Sequence, residues 1–199
     1  MYSYFYSLIQ KLILKKNFYV DLIKLLNKQK INAIIDIGCA DSSILEHIND
    51  KYLYYGYDFD SYFTNKSKFK YKDNDKLQFY NKGVDEIDFK KFDPDKSIIV
   101  LAGLLHHIND SQIKSFVDRT ENFKIITFDA VKRVGQKNIT KLLMALDRGN
   151  YIRQLDNYKK LLPHFDFFIA KDRYVRLFPY DHLMSTKNID KDIISEVFK

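Results

Sequence analysis

The chain has 199 residues, 46% of them hydrophobic, which is enough for a single domain, residues 1–199, with a sizeable core. It has no run of about 18 uncharged apolar residues, so we expect no transmembrane segment, and its one cysteine, Cys39, excludes an intrachain disulfide and fits a cytoplasmic protein. The net charge of +7 comes from 27 lysines and 6 arginines spread along the chain, a pattern that does not favour nucleic acid as a partner.

The apolar pattern alternates between the periods of helices and strands. Residues 3–29 predict one or two helices, and we interpret residues 1–30 as an N-terminal helical lid. The aromatic side chains of this segment could equally form a dimer face or a membrane-surface face. Strands are expected near 33–37, 53–58, 77–80, 97–102 and 124–128, and helices near 43–49, 110–120 and 138–147. Alternation of this kind predicts an α/β fold with a parallel sheet and right-handed crossovers.

Four alternating lysines, Lys66, Lys68, Lys70 and Lys72, follow the second predicted strand. We interpret them as a solvated face or loop and not as a phosphate-binding strip. Binding to RNA would need a continuous basic surface and would weaken steeply with salt.

The C-terminal part of the chain changes character, although no Pro/Gly/Ser-rich linker precedes it. Residues 165–169 and 174–184 predict two strands joined by a polar turn at 171–173. Residues 188–198 predict a short terminal helix or tail.

Residues 34–45 form the most informative segment of the sequence. Their short, β-branched apolar run predicts a parallel strand that is covered on both faces, and Gly38 then allows a sharp turn close to a ligand. The polar residues at 41–43 are candidate helix N-caps, and Ser43 followed by Glu46 fits a capping box. The segment therefore predicts a strand, a tight turn and the start of a helix.

Asp58 ends the next apolar run, 20 positions after Gly38. An acidic residue at about this distance is typical of a unit that binds a nucleoside ribose. The pattern Gly38-x-Ala40-x-x-Ser43 lacks two of the three glycines that a dinucleotide pyrophosphate needs, and Asp41 would stand near the phosphate. S-adenosylmethionine (SAM) carries cationic groups and no phosphate, so a carboxylate-rich turn suits it better than NAD.

The ordered set of motifs resembles class I SAM-dependent methyltransferases. Their first motif resembles residues 34–40, their acidic second-strand motif resembles Tyr55-Gly56-Tyr57-Asp58, and their fourth and fifth strands resemble residues 98–110 and 125–129. The resemblance implies a Rossmann-like fold with a mostly parallel seven-stranded sheet and a C-terminal antiparallel hairpin. It also implies a cofactor-binding core at 31–130 and an acceptor side with the closing hairpin at 131–199.

Three later segments, 135–136, 147–153 and 179–182, resemble a small stand-alone bacterial branch of that family, which has no secure common substrate. Their side chains could line an acceptor pocket, since arginine suits carboxylate or phosphate groups. The candidates are Gln136, Arg148, Tyr151, Arg153, Tyr180 and His182. Alternatively, residues 147–149 end a helix and fix the loop.

The resemblance implies SAM as the cofactor, held by the turns that follow the strands. The residues concerned are Asp36, Gly38, Cys39, Ala40, Asp58, Val84, Gly103 and Leu104. Asp36 is expected to attract the methionine ammonium, and Asp58, with Asp60 as its rival, to accept hydrogen bonds from both ribose hydroxyls. Gly83 stands where the family often has an acidic residue, so backbone groups near Val84, or Asp85, would contact the adenine.

Three residues are candidates for catalysis: His106 and His107 follow the fourth strand, and Asp129 ends the fifth, where it could face the substrate or bond to the following loop. A neutral imidazole near pH 7 can accept a proton from a substrate hydroxyl, and His106 is the better candidate. The alternative is that one histidine packs in the core and the other caps the next helix. His106-His107-x-x-Asp110 is not a metal-ligand spacing, and no metal site is expected.

These motifs predict methyl transfer from SAM to a small-molecule acceptor, first of all at oxygen. The chain lacks an Asn/Asp-Pro-Pro-Tyr motif after the fourth strand and has no second cysteine, which argues against two routes of nucleic-acid base methylation. Three alternatives stay open at this point: an RNA methyltransferase, a non-catalytic methyltransferase-like binding module, and an NAD-dependent oxidoreductase. The oligomeric state is not predicted.

Overall fold

The computed structural model describes residues 17–48, 51–136, 144, 149–170 and 181–198. The helices are α1 (Asn17–Lys28), α2 (Ser61–Lys70), α3 (Asp110–Arg119), α4 (Leu155–Leu161) and α5 (Lys191–Val197). The strands are β1 (Ala33–Ile37), β2 (Leu53–Asp58), β3 (Leu77–Asn81), β4 (Ser97–Ala102), β5 (Lys124–Lys132), β6 (Arg153–Gln154), β7 (Asp166–Ala170) and β8 (His182–Lys187). Short 3-10 helices lie at Ser43–Glu46, Val84–Glu86 and Phe89–Lys91.

Within the described residues, the strands form one sheet in the order β3-β2-β1-β4-β5-β8-β7, and β6 pairs with β5 off this path. Neighbours from β3 to β5 are parallel, whereas β8 is antiparallel to both β5 and β7. The predicted α/β fold with a mostly parallel sheet and a closing antiparallel pair is therefore confirmed. The two-residue strand β6 adds an eighth strand to the seven that were expected.

The sheet has an apolar core on each face. On the first face, α3 and α4 pack Ile113, Phe116 and Tyr158 against the middle strands. On the second face, α1 and α5 pack Leu25 and Ile194 against the other side of the same strands. Coverage on both faces explains why β1 and β4 are mostly apolar and do not alternate with polar residues.

The segment after β1 differs from its prediction. A full helix was expected near 43–49, but the structure has one 3-10 helix, Ser43–Glu46, and residues 49–50 lie outside the described part. Ser42 adopts the left-handed conformation, with φ at 56°, and makes no side-chain cap. Its hydroxyl instead pairs with that of Ser67, while the Ser43 hydroxyl donates to Asp41, so the capping-box prediction was wrong.

The last strand also lies later than predicted. β8 begins at His182, whereas a strand was expected over 174–184, and the predicted turn at 171–173 lies outside the described residues. Ser185, Thr186 and Lys187 belong to β8 although they are polar. The Ser185 hydroxyl is paired with that of Thr127 on β5, with 2.6 Å between the oxygens, and this satisfied pair explains a polar residue in a buried strand.

Two other predictions concern the helices. Leu22, Leu25 and Leu26 of α1 are fully buried, so the described part of the expected N-terminal lid is a core helix. The predicted C-terminal helix is confirmed as α5. The helix expected near 138–147 lies, apart from Met144, outside the described residues, as do residues 1–16 of the lid.

Candidate cofactor and active site

The predicted site residues meet where the parallel strands end. Gly38, with φ at 77°, turns the chain after β1, and the amides of Gly38 and Cys39 both donate to the carbonyl of Tyr57, at 2.8 and 3.1 Å. A Cβ at Gly38 would lie 3.1 Å from Cδ1 of Leu104, which begins the loop after β4. A glycine here therefore lets the turn after β1 touch both β2 and the loop after β4.

Asp58 ends β2 and fixes the turn after β1. Its Oδ2 accepts the amide of Ala40 at 2.9 Å, and its Oδ1 accepts the amide of Asp60 at the same distance. The side chain is buried, which raises its pKa, while the two amides act in the opposite direction. Each carboxylate oxygen has a second acceptor site, so Asp58 can still accept hydrogen bonds from a diol. Asp60, its rival in sequence, instead caps α2 through the amide of Tyr62.

Asp36 lies fully inside the protein next to this turn. The hydroxyl of Tyr54 on β2 donates to its Oδ2 at 2.7 Å. Burial raises the pKa of Asp36 to about 7, the Tyr54 hydroxyl lowers it, and the carboxylates of Asp58 and Asp41 raise it further. A cationic ligand beside these carboxylates would favour the ionised form of Asp36.

Cys39 is buried between Asp36 and Asp58. Burial and these two carboxylates raise the pKa of its thiol. A thiol in such surroundings is a poor nucleophile, so Cys39 contributes shape to the turn and not covalent chemistry.

The segment after β3 is tied to α3. Arg119 donates from Nη2 to the carbonyl of Val84 at 2.9 Å and from Nη1 to that of Ile87 at 3.0 Å. Val84 itself is buried, and the Asp85 carboxylate accepts a hydrogen bond from Gln112 at 2.7 Å. Asp85 was the alternative contact for the adenine, since Gly83 stands where the family often has an acidic residue. In that role Asp85 would have to bind the adenine while it also accepts a hydrogen bond from Gln112.

His106, in the loop after β4, and Asp129, on β5, form a buried pair. The sequence predicted that Asp129 ends the fifth strand, but β5 continues to Lys132. Nδ1 of His106 lies 2.5 Å from Oδ1 of Asp129, which also accepts the amide of Ala130 at 3.0 Å. Oδ2 of Asp129 accepts the amide of Leu105 at 2.6 Å. Because a carboxylate only accepts, Nδ1 is the protonated nitrogen, and the lone pair of the neutral ring lies on Nε2.

The remaining candidates are more peripheral or structural. The His107 ring lies 4.1 Å from that of His106, centroid to centroid, and is half-buried. His182 is buried and stacks on Phe128, and the Gln136 amide binds the local backbone, where it donates to the carbonyl of Val131. Arg148 and Tyr180 lie outside the described residues.

Three residues near the site were not predicted in the roles that the structure gives them. Tyr54 is the hydrogen-bond donor to Asp36, Gly149 lies against the His106 ring, and Arg153 binds the loop after β4. Gly149 and Arg153 belong to the 147–153 segment, which was predicted either to line an acceptor pocket or to end a helix and fix the loop. No local pattern indicates which distant carbonyls an arginine will bind.

Comparisons with known proteins bear on the fold of this chain. No family profile matches the sequence, and no curated protein is similar to it in sequence. In structure, the chain is similar to the N-methyltransferase NodS from Bradyrhizobium japonicum WM9, with a TM-score of 0.61, 11% identity, and coverage of 83% of this chain and 90% of NodS. It is also similar to magnesium protoporphyrin IX methyltransferase (ChlM) from Synechocystis PCC 6803 with bound SAH, with a TM-score of 0.61, 15% identity, and coverage of 86% and 82%.

A third similar structure is the CurJ carbon methyltransferase, with a TM-score of 0.61 and 17% identity over 87% of this chain and 54% of CurJ. The fold of this chain is thus the Rossmann-like fold of class I methyltransferases. In the described parts of the chain, none of the helices has the length and apolar content needed to cross a membrane.

Proposed function

We propose that this chain is a SAM-dependent methyltransferase that acts on a small-molecule hydroxyl, with His106 as the base. One observation carries the proposal: the Asp58 turn and the His106–Asp129 pair lie side by side at the carboxyl ends of β1, β2, β4 and β5. Ligands of open α/β sheets bind at this edge.

The residues around Asp58 fit the cofactor. Asp58 has acceptor sites suited to the ribose diol, and Asp36, Asp41 and Asp58 give the turn a negative character that suits a sulfonium and an ammonium group. Phe59, the next residue, is 77% exposed and offers a face on which an adenine ring can stack. When bound, SAM supplies an electrophilic methyl group.

The residues around His106 fit an acceptor that must lose a proton. A hydroxyl placed at Nε2 would give its proton to the imidazole as its oxygen takes the methyl group from the sulfonium sulfur, and S-adenosylhomocysteine would leave as the neutral thioether. Asp129 would stabilise the resulting imidazolium. Asp129 acts through His106 and is therefore a positioning residue. The half-buried ring of His107 would line the same pocket.

In this proposal the chain keeps a cofactor core at 31–130 and an acceptor side at 131–199, whereas α1, which falls within the lid expected at 1–30, packs in the core. The acceptor is a small molecule. The exposed lysines of α2 and the turn after it, Lys66 to Lys72, agree with a solvated face.

The test is methyl transfer from labelled SAM to a panel of phenols and hydroxy acids. Replacing His106 with Asn should lower turnover by about a hundredfold or more while SAM affinity stays within about twofold, because the base acts only in the transition state. His164→Asn, a change at an exposed histidine, is the matched control and should keep wild-type turnover. Wild-type turnover in His106→Asn would exclude His106 as the base.

A further inference from the structure

The guanidinium of Arg153 is buried under the loop that carries His106. It donates from Nη1 to the carbonyls of Leu105 and Tyr151, at 2.7 and 3.0 Å, and from Nη2 to the carbonyl of Ile108 at 2.8 Å. Nε and Nη2 both donate to Oδ1 of Asp110, at 2.9 and 2.7 Å. These five hydrogen bonds use all five N–H groups that an arginine has.

Both backbone groups of Leu105, the residue before His106, are therefore held. The amide of Leu105 donates to Asp129, and the carbonyl of Leu105 accepts from Arg153. The carbonyl of His106 accepts the amide of Tyr151 at 3.0 Å. One short segment, residues 149–153, thus fixes the backbone on both sides of the histidine.

Gly149 also limits the position of the His106 side chain. A Cβ at this position would lie 1.9 Å from Cδ2 of His106 and 2.8 Å from its Cγ. Contacts below about 3 Å between such atoms are forbidden by sterics, so any side chain at residue 149 would push the imidazole from its place. The glycine is required by this close approach and not by a turn.

We propose that Gly149 and Arg153 are positioning residues that hold the His106 imidazole against Asp129, with Nε2 kept at one point of the acceptor pocket. The inference rests on the proposed function, since it assigns the base its orientation. A rotation of the ring about Cβ–Cγ would break the Nδ1 hydrogen bond and move the lone pair away from the acceptor. Displacing a catalytic group by about 1 Å is enough to cost about a hundredfold in rate.

The first readout needs no acceptor. In the full chain, the Nδ1 proton between His106 and Asp129 should give a downfield proton NMR resonance, assigned by its loss in His106→Asn. Gly149→Ala and Arg153→Met should remove or shift this resonance while calorimetric SAM affinity stays within about twofold of wild type, because neither residue belongs to the Asp58 turn. Arg133→Met is the matched control: Arg133 pairs with Asp181 at 2.8 Å, and its loss should leave the resonance unchanged.

The second readout separates positioning from folding. With an acceptor found by the labelled-SAM screen, Arg153→Met should lower kcat by at least about tenfold with KM within about threefold, and Arg153→Lys, which supplies three donors, should recover part of kcat. If Gly149→Ala or Arg153→Met fails to fold, the test is the NMR resonance of the Nδ1 proton measured in Arg153→Lys. An unchanged resonance in Gly149→Ala and in the folded Arg153 variants would overturn the proposal, whereas absence of SAM binding by the wild type would overturn the proposed function alone.

Discussion

Asp58 links the turn after β1 to the predicted ribose site, because one carboxylate holds the Ala40 amide and keeps acceptor sites for a ligand. Replacing Asp58 with Ala should weaken SAM binding by about tenfold or more, equivalent to about 1.4 kcal/mol. Calorimetric titration of the variant measures this directly.

Asp60→Ala is the matched control for that change. It removes the cap on the amide of Tyr62 and should cost about 1 kcal/mol in unfolding free energy while SAM affinity stays within about twofold. Equal SAM affinity in Asp58→Ala and the wild type would remove Asp58 from the cofactor site.

We expect Asp36 to make cofactor binding depend on pH. Burial raises its pKa to about 7, so the carboxyl group is mostly neutral below that pH and mostly ionised above it. A cationic ligand binds the ionised form better, so SAM affinity should rise between about pH 6 and pH 8, with release of a proton on binding. Titrations at several pH values should show this rise in the wild type and a flat profile in Asp36→Asn; a rise of equal size in the variant would assign the effect to another group.

For single residues, the sequence predicts which ones lie at the candidate site better than it predicts the partners that they contact. Asp36, Asp58 and Asp129 were predictable because each stands at or near the end of an apolar run. Tyr54, Gly149 and Arg153 were not, since their roles depend on which strands and loops become neighbours. The orientation of the His106 ring is likewise a product of contacts with residues 23 and 43 or more positions away.

Among the elements, α3 supports both halves of the site. It begins with a complete capping box, in which the Asn109 side chain accepts the amide of Gln112 at 3.0 Å and the Gln112 side chain accepts that of Asn109 at 3.1 Å. Asn109→Ala should lower the unfolding free energy by about 1 kcal/mol. Chemical denaturation measures the change, and Lys114→Ala, at an exposed position of the same helix, should cost less than about 0.5 kcal/mol. Equal losses in the two variants would mean that the cap adds no stability.

The limits of the elements were predicted correctly where the buried residues are mostly apolar, and they were missed where polar residues are buried. The strands β1, β2 and β4 match their predicted limits. β8 was misplaced because Ser185 and Thr186 are buried although they are polar. The helix predicted near 43–49 was too long, since Ser42 adopts a left-handed conformation and only a single 3-10 helix follows it. The helix α2 was not assigned, since its buried side consists of Phe63, Thr64 and Ser67 and has little apolar signal.

In the part of the chain that the structure describes, one sheet lies between two large apolar cores, one on each face. Ile113 of α3 and Ile194 of α5 are both fully buried, in different cores on opposite faces. Each Ile→Val change should cost about 1 kcal/mol, and the double variant should lose the sum to within about 0.5 kcal/mol, because the two sites share no partner. Denaturant unfolding of the single and double variants tests this; a coupling above about 1 kcal/mol would mean that the sheet transmits strain between its faces.

The α/β fold with a parallel sheet was predictable because strands and helices alternate along the chain, and the antiparallel pair was implied by the resemblance of the motifs. The chain shares 11% identity with NodS and 15% with ChlM, yet its structure is similar to each with a TM-score of 0.61. The acceptor was not predictable in the same way, since it depends on side chains from the loops that vary most.

Calorimetric titration of the purified chain with SAM and with S-adenosylhomocysteine is the most direct test of the account. We predict micromolar binding of both ligands, equivalent to about −8 kcal/mol, and a matching loss in Asp58→Ala. Binding of neither ligand by the folded wild-type protein would contradict the account and would favour a non-catalytic binding module that keeps the methyltransferase fold.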